Sequence, residues 1–171
     1  ASAVRADGTL AASGALRLEA SGQLSAHGRQ IAAGEARLSG ASIDLDGSQT
    51  AAQAVEVLAS GAVTTRAATV STPGRLHIAG THLPKPGALL SAGQLQLETR
   101  ALDNTRGEIL QTGTGDTLLN VAGVLDNTEG RIAVNSTRLQ VQAGTLVNRE
   151  GAIEHLGSGV LALEAGTTEG W

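Results

Sequence analysis

A repeat of about twenty residues runs through most of this 171-residue chain and constrains its fold more than any other feature. The clearest copies begin at Leu102, Leu125 and Leu146 and share the pattern L-x-N-x-x-G-x-I. Apolar–polar–apolar triplets such as 95–97 recur at the same spacing and start at positions 16, 36, 55, 76, 95, 119, 139 and 161. A repeat of this length is typical of solenoids, in which each copy forms one coil.

Two further apolar positions keep phase with each triplet. The first lies six to eight residues after the triplet starts and comprises Leu24, Ile43, Val63, Leu83, Leu102, Leu125 and Leu146. The second lies thirteen to fifteen residues after the start and comprises Ile31, Ala51, Val70, Leu90, Ile109, Ile132 and Ile153, with Ala51 as its weak member. We expect the residues at these positions to face a shared interior.

The alternation within each triplet indicates a short, half-buried strand, and the frequent glycines between triplets disfavour helices. The sequence therefore predicts an all-β fold, a right-handed parallel β-helix of about eight coils with three short strands per coil. At about 4.8 Å per coil it would form a rod roughly 34 Å long. We interpret residues 1–171 as a single segment of a longer array, with weaker repeats in 10–94, stronger ones in 95–166 and Trp171 outside every complete repeat.

The composition agrees with a narrow interior. Hydrophobic residues make up 41% of the chain but aromatic residues only 1%, so Leu, Val, Ile and Ala must fill the core. The net charge of −4 and the lack of stacking aromatics disfavour a nucleic-acid partner. The sequence has no cysteine and no apolar run of about 18 residues, which predicts no disulfide and no membrane-spanning segment.

Polar residues recur at one corner of the stronger repeats. An asparagine amide can bond to its equivalent in the coils above and below, and glycine suits a tight bend. We expect these residues to form a structural corner ladder rather than a ligand site: Asn104, Asn127, Asn148, Gly107, Gly130 and Gly151.

With its L-x-N-x-x-G-x-I motif and the strand and glycine that follow, the chain resembles the filamentous haemagglutinin repeats of large bacterial exoproteins. These belong to two-partner secretion systems and include haemagglutinin-type adhesins and the stalks of contact-dependent growth inhibition toxins. The resemblance implies a non-enzymatic rod that presents an adhesive or toxin tip, secreted to or displayed on a Gram-negative cell surface. It also implies an outer-membrane transporter as a partner during export, neighbouring β-helix coils of the parent protein, and no cofactor.

Two other functions compete with the rod. The segment could itself be an adhesive module, binding a cell-surface receptor or glycan through an outward stripe formed by Arg17, Arg37, Glu56, His77 and Gln96. Alternatively, β-helical polysaccharide lyases and hydrolases place clustered carboxylates on consecutive coils, and the candidates here are Asp103, Asp126, Asp44 and Asp46. The sequence favours neither, because the stripe lacks hot-spot residues and turns explain the aspartates.

The histidines and one proline-containing segment are the remaining candidate sites. His27, His77, His82 and His155 are scattered along the chain, so we interpret them as surface residues and predict no metal site. The segment 81–87 places two prolines around the single lysine, which predicts an extended corner loop without ladder bonds. This loop is either a rigid turn or a contact loop, formed by His82, Pro84, Lys85 and Pro86.

Overall fold

A computed structural model describes residues 1–170, and Trp171 lies outside the described residues. All regular elements within 1–170 are β-strands. The strands are parallel and stack into a β-solenoid of about eight coils, which confirms the predicted fold class. No helix in this part of the chain is long and apolar enough to cross a membrane.

Each coil passes through three faces. The first face contains β1 (Val4–Arg5), β4 (Gln23–Ser25), β7 (Ser42–Asp44) and β10 (Val63–Thr64). The second contains β2 (Thr9–Ala12), β5 (Arg29–Ala32), β8 (Gln49–Ala51), β13 (Glu108–Gln111), β15 (Arg131–Val134) and β17 (Ala152–His155). The third begins with β3 (Leu16–Glu19), β6 (Glu35–Gly40) and β9 (Ala54–Ala59).

Five longer strands continue around corners and so belong to more than one face. They are β11 (Thr69–Pro84), β12 (Leu89–Asp103), β14 (Thr117–Asp126), β16 (Arg138–Val147) and β18 (Val160–Glu169). Register shifts within them, such as the one between Val121 and Val124, let the backbone bend while the bonds to the next coil continue. The strands in the second half are therefore longer than the short ones that the repeat predicts.

The core consists of columns of equivalent side chains. On the third face Leu76 pairs with Leu95, and Leu119 pairs with Val141; all four are at most 1% exposed. The apolar residues six to eight positions after the start of each triplet, from Leu24 to Leu146, are all buried as well. A thin interior filled by stacked aliphatic side chains explains how the chain forms a core without Phe, Tyr or Met.

On the second face, the predicted inward positions of Ile31 and Ala51 are wrong by one residue. Gln30 and Thr50 point inward and are at most 2% exposed, whereas Ile31 is half-buried and Ala51 is exposed. The register aligns Gln30 with Thr50, and the Thr50 hydroxyl donates to Gln30 Oε1 at 3.0 Å. The polar pair is tolerated inside because each side chain has a hydrogen-bond partner.

Substitutions on the third face test the inward assignment. Leu139 is fully buried and Gln140, the next residue, faces outward. We expect Leu139→Asp to lower the free energy of unfolding by about 4 kcal/mol, because it buries an unpaired carboxylate. Gln140→Asp should change it by less than about 0.5 kcal/mol. Urea unfolding of both variants measures the difference, and equal effects would contradict the assignment.

Candidate functional site: the polar corner

The corner after the first face is built from the same four-residue turn in six coils. The backbone N–H of the fourth residue donates to the carbonyl of the first, as in Gly107 to Asn104 at 2.9 Å and Ala88 to Lys85 at 3.0 Å. The third residue has a positive φ in every copy, at Gly47, Ala67, Gly87, Arg106, Glu129 and Glu150. We call these turns, 45–48, 65–68, 85–88, 104–107, 127–130 and 148–151, the turn corner.

The structure brings the three predicted asparagines together at the first position of the turn corner. Asn104 Nδ2 donates to Asn127 Oδ1 at 2.6 Å, and Asn127 Nδ2 donates to Asn148 Oδ1 at 2.7 Å. Asn127 Nδ2 also approaches the carbonyls of Ala152 and Gly130 at 3.1 and 3.3 Å. All three side chains are buried, so we propose that this amide ladder stabilises the stack of coils.

The glycines of the turn corner serve another purpose than the predicted bend. Positive φ falls on the residue before each of them, for example on Glu129 rather than Gly130. A Cβ at Gly130 would lie 2.6 Å from Asn127 Oδ1 and would also collide with the carbonyl of Asn104. Glycine therefore leaves room for the asparagine amide. The corners without asparagine carry side chains at this position, namely Ser48, Ala68 and Ala88.

The predicted loop without ladder bonds around Lys85 is wrong. The backbone N–H of Lys85 donates to the Asp103 carbonyl at 2.9 Å, and the Pro84 and Pro86 carbonyls each accept at 3.1 Å from the preceding coil. A proline loses only its own N–H, so its carbonyl can still join the ladder. The Lys85 side chain is buried and is unavailable as a surface contact. His82 is exposed and the prolines are half-buried, so their contact role stays a prediction.

Lys85 occupies the same column as the asparagines, a position that the repeat pattern did not predict. Its Nζ donates to Asn104 Oδ1 and to the Ala88 carbonyl, the latter at 3.2 Å. Burial lowers the pKa of Lys85 to about 7, although the carboxylates of Asp103 and Glu108 favour the charged form. The single lysine flanked by prolines was the available signal, but it is also typical of exposed loops.

The candidate catalytic aspartates hold turns and neighbouring coils together. Asp103 and Asp126 are adjacent in register, and the Oδ1 of each accepts a 2.9 Å bond from the backbone N–H two residues later. Asp44 Oδ1 accepts from the Thr64 hydroxyl at 3.0 Å. Asp46 accepts from the backbone and guanidinium of Arg66. Each carboxylate thus has a local structural task.

The four histidines lie in separate environments. His27 lies between Asp7 and Asp44, with Nε2 3.0 Å from Asp44 Oδ2. The hydrogen bond with Asp44 raises the pKa of His27. His155 Nε2 lies 2.8 Å from the Ser136 carbonyl. Within residues 1–170 no group of three or more His, Cys, Asp and Glu side chains is arranged to hold a metal ion.

The outward stripe forms one column on the third face, in the register Arg17, Arg37, Glu56, His77 and Gln96. Its members contact other charged groups on the same face. Arg37 lies 2.6 Å from Glu56, and His77 lies between Glu56 and Glu98 at 3.5 and 3.7 Å. The stripe is therefore largely occupied by contacts within the solenoid.

A groove lies where the stripe continues into the next coils, because Gln96 lines it and pairs in register with Leu118, which pairs with Gln140. Its volume is about 240 Å³, and Gln94, Asp116, Leu118, Arg138 and Gln140 are among the residues that line it. Within residues 1–170 the Arg138 guanidinium has no carboxylate within 4.0 Å. The exposed loop 112–116 forms one rim and is held from inside by Gln111, whose Nε2 donates to the Gly113 carbonyl at 3.1 Å.

The sequence is similar to that of Toxin CdiA from Yersinia pestis, with 40% identity over 112 residues. The matched part is 62% of this chain and 3% of that protein, so the chain spans a small part of the relative's length. No family model and no solved structure matches the chain. The similarity and the solenoid together fit a haemagglutinin-repeat-like segment of the CdiA and two-partner-secretion type. This confirms the resemblance carried by the repeats. The two findings also indicate a structural, stalk-like segment.

The amide ladder can be tested with an isosteric substitution. Asn127→Asp replaces the donor to Asn148 Oδ1 by a carboxylate oxygen inside the core, and we expect the free energy of unfolding to fall by about 2 kcal/mol or more. Asn120 is exposed, so Asn120→Asp is the matched control and should cost less than about 0.5 kcal/mol. Urea unfolding at pH 7 provides the comparison; a loss no larger than the control's would show that the ladder contributes nothing.

His27 should make a pH-dependent contribution to stability. Its pKa is raised in the folded chain, so its pairing with Asp44 stabilises the fold fully below the unfolded pKa of about 6.5 and is lost as the pH rises through the folded pKa. We expect His27→Gln to lower the thermal midpoint at pH 5.5 and to leave it unchanged at pH 8.5. The effect should stay below about 1 kcal/mol because the pair is partly exposed. A loss that is equal at both pH values would contradict this assignment.

Proposed function

We propose that this chain is a non-enzymatic rod segment of a large secreted or surface-displayed bacterial protein, and that it holds an adhesive or toxin tip away from the producing cell. The observation that carries the proposal is the stack of coils, in which parallel strands and corner hydrogen bonds join one coil to the next. The similarity to a toxin of which the chain covers 3% supports a part in a much longer molecule. Export through an outer-membrane transporter of a Gram-negative cell belongs to the same proposal.

The physical basis of a spacer role is that a parallel solenoid becomes longer along one axis with each added coil. Each coil adds about 4.8 Å to the axis and repeats the hydrogen bonds of the coil before it. Inward columns of buried aliphatic residues run from coil to coil, so the core extends with the array. We propose that the segment is a piece of a longer array of such coils, with stronger turn corners in its second half.

An adhesive role for the segment itself is the second candidate, and the groove that continues the stripe favours it. Arg138, Asp116 and the glutamine amides present hydrogen-bond donors and acceptors around the apolar side chain of Leu118. Such a lining suits a hydroxyl-rich ligand such as a glycan. The aligned carboxylates of Asp103 and Asp126 favour an enzyme less, because turns already engage them.

Removing one complete coil from the parent protein distinguishes the two roles. Deletion of 127–147 joins Asp126 to Asn148 and keeps the register, because Asp126 and Val147 are equivalent positions. We expect a rod to keep surface display, folding and the activity of its tip, and to become shorter by about 4.8 Å. The same deletion removes Arg138 and Gln140 from the groove, so loss of cell or glycan binding with display retained would favour the adhesive module.

Deletion of 127–137 is the matched control. It removes about half a coil, so inward and outward columns no longer align, and display should fail whichever function is correct. Surface immunolabelling and protease resistance measure display and folding. If the complete-coil deletion fails as the half-coil deletion does, the segment is not a simple spacer and the rod proposal is wrong.

A further inference from the structure

The first position of the turn corner changes its chemistry along the solenoid, from Leu45 and Thr65 in the earlier coils to lysine and then asparagine. It holds Asn104, Asn127 and Asn148 in the later coils and Lys85 in the coil just before them, and all four side chains are buried. Lys85 is the single lysine of the chain. Within residues 1–170 no carboxylate lies within 4.0 Å of its amine. A buried lysine without an ion pair calls for a structural explanation.

The ladder has a direction. Asn104 and Asn127 each donate from Nδ2 to the Oδ1 of the asparagine in the following coil, so each Oδ1 needs a donor from the preceding coil. For Asn127 and Asn148 that donor is another amide. For Asn104 the donor is Lys85 Nζ. Without it, the buried carbonyl oxygen of Asn104 would lose this bond, and an amide flip would set two carbonyl oxygens against each other at Asn127.

We propose that Lys85 is the donor end of the amide ladder and that, as a neutral amine, it holds Asn104, Asn127 and Asn148 in one amide orientation. A neutral amine carries two N–H donors, and the structure provides two acceptors, Asn104 Oδ1 and the Ala88 carbonyl. Both contacts of Nζ are donations, and the preceding coil holds Thr65 rather than an amide at this position, so the ladder begins at Lys85. This device is independent of the function proposed above.

Burial, opposed by two nearby carboxylates, sets the pH range in which the neutral form of Lys85 occurs. Burial lowers the pKa of Lys85 to about 7, while Asp103 from β12 and Glu108 from β13, the charged groups that face it, favour the ammonium. The unfolded chain keeps this proton up to about pH 10.4. Between these values the unfolded state binds more protons than the folded state, so stability rises with pH across this window.

Observation of the single lysine tests the protonation state directly. In ¹³C-labelled chain the Lys85 Cε resonance is the sole lysine signal, and its shift reports the charge of the amine. We expect a titration midpoint near pH 7 in the native chain and near pH 10.4 in denaturant. A native midpoint above pH 9 would show that the lysine stays charged and would overturn the proposal.

The orientation of the ladder has its own readout. The side-chain amide resonances of Asn104 should shift with the same midpoint as Lys85 in the native chain, and those of Asn120, which is exposed, should not. In Lys85→Met the Asn104 shift should disappear, together with the gain in urea midpoint between pH 7 and pH 9.5. Asn104 resonances that do not shift as the lysine titrates would overturn the proposal. This measurement uses the native chain and does not depend on whether a variant folds.

The ladder should also be extendable by one coil. Asparagine at position 85 needs glycine at position 88, as the contact between Asn104 Oδ1 and a Cβ at Gly107 shows. We expect Lys85→Asn to be less stable than the native chain and the added Ala88→Gly to recover stability, although Ala88→Gly alone should lower it. The double variant should lack the gain between pH 7 and pH 9.5. An Ala88→Gly effect that is equal in both backgrounds would count against the assigned ladder position.

Discussion

The register between coils is the constraint on which the rest of the structure depends. Parallel backbone bonds join each residue to its equivalent about twenty positions later, as Asp103 is joined to Asp126. Each side chain is therefore flanked by its equivalents above and below. The interior consists of columns, and a residue type is suitable for a column when it packs or bonds well against itself. Leucine, valine and isoleucine meet this condition by shape alone.

Asparagine meets the same condition by chemistry, because its amide contains both a donor and an acceptor. A column of amides can bond along its whole length, which is how Asn104, Asn127 and Asn148 remain buried and paired. Lysine occurs once in this column, at the end where a donor is needed. The polar pair of Gln30 and Thr50 follows the same rule on the second face. In both places the buried polar side chains are paired across neighbouring coils.

The features predicted from the sequence are those that the repeat contains many times over. The solenoid, the coil length and the buried positions from Leu24 to Leu146 each occur in several copies, so single deviations do not hide them. The prediction is wrong at Ile31 and Ala51 because each apolar residue directly follows the inward residue, which is the polar Gln30 or Thr50. A strand with period two offers no sequence signal to distinguish these phases when the inward residue is polar.

The amino-acid sequence by itself determined that the chain forms stacked parallel coils and where the corners of the stronger repeats fall, because equivalent residues must align once the period is set. Only the tertiary structure decided the role of each corner side chain. The 84–86 segment has the composition of an exposed loop, yet Lys85 points inward, where Asn104 Oδ1 of the next coil accepts a hydrogen bond from its amine. Gly107, Gly130 and Gly151 are required by the close approach of the amide and of the preceding coil rather than by a positive φ. Such roles depend on atoms contributed by neighbouring coils within a few ångströms, which no single repeat specifies.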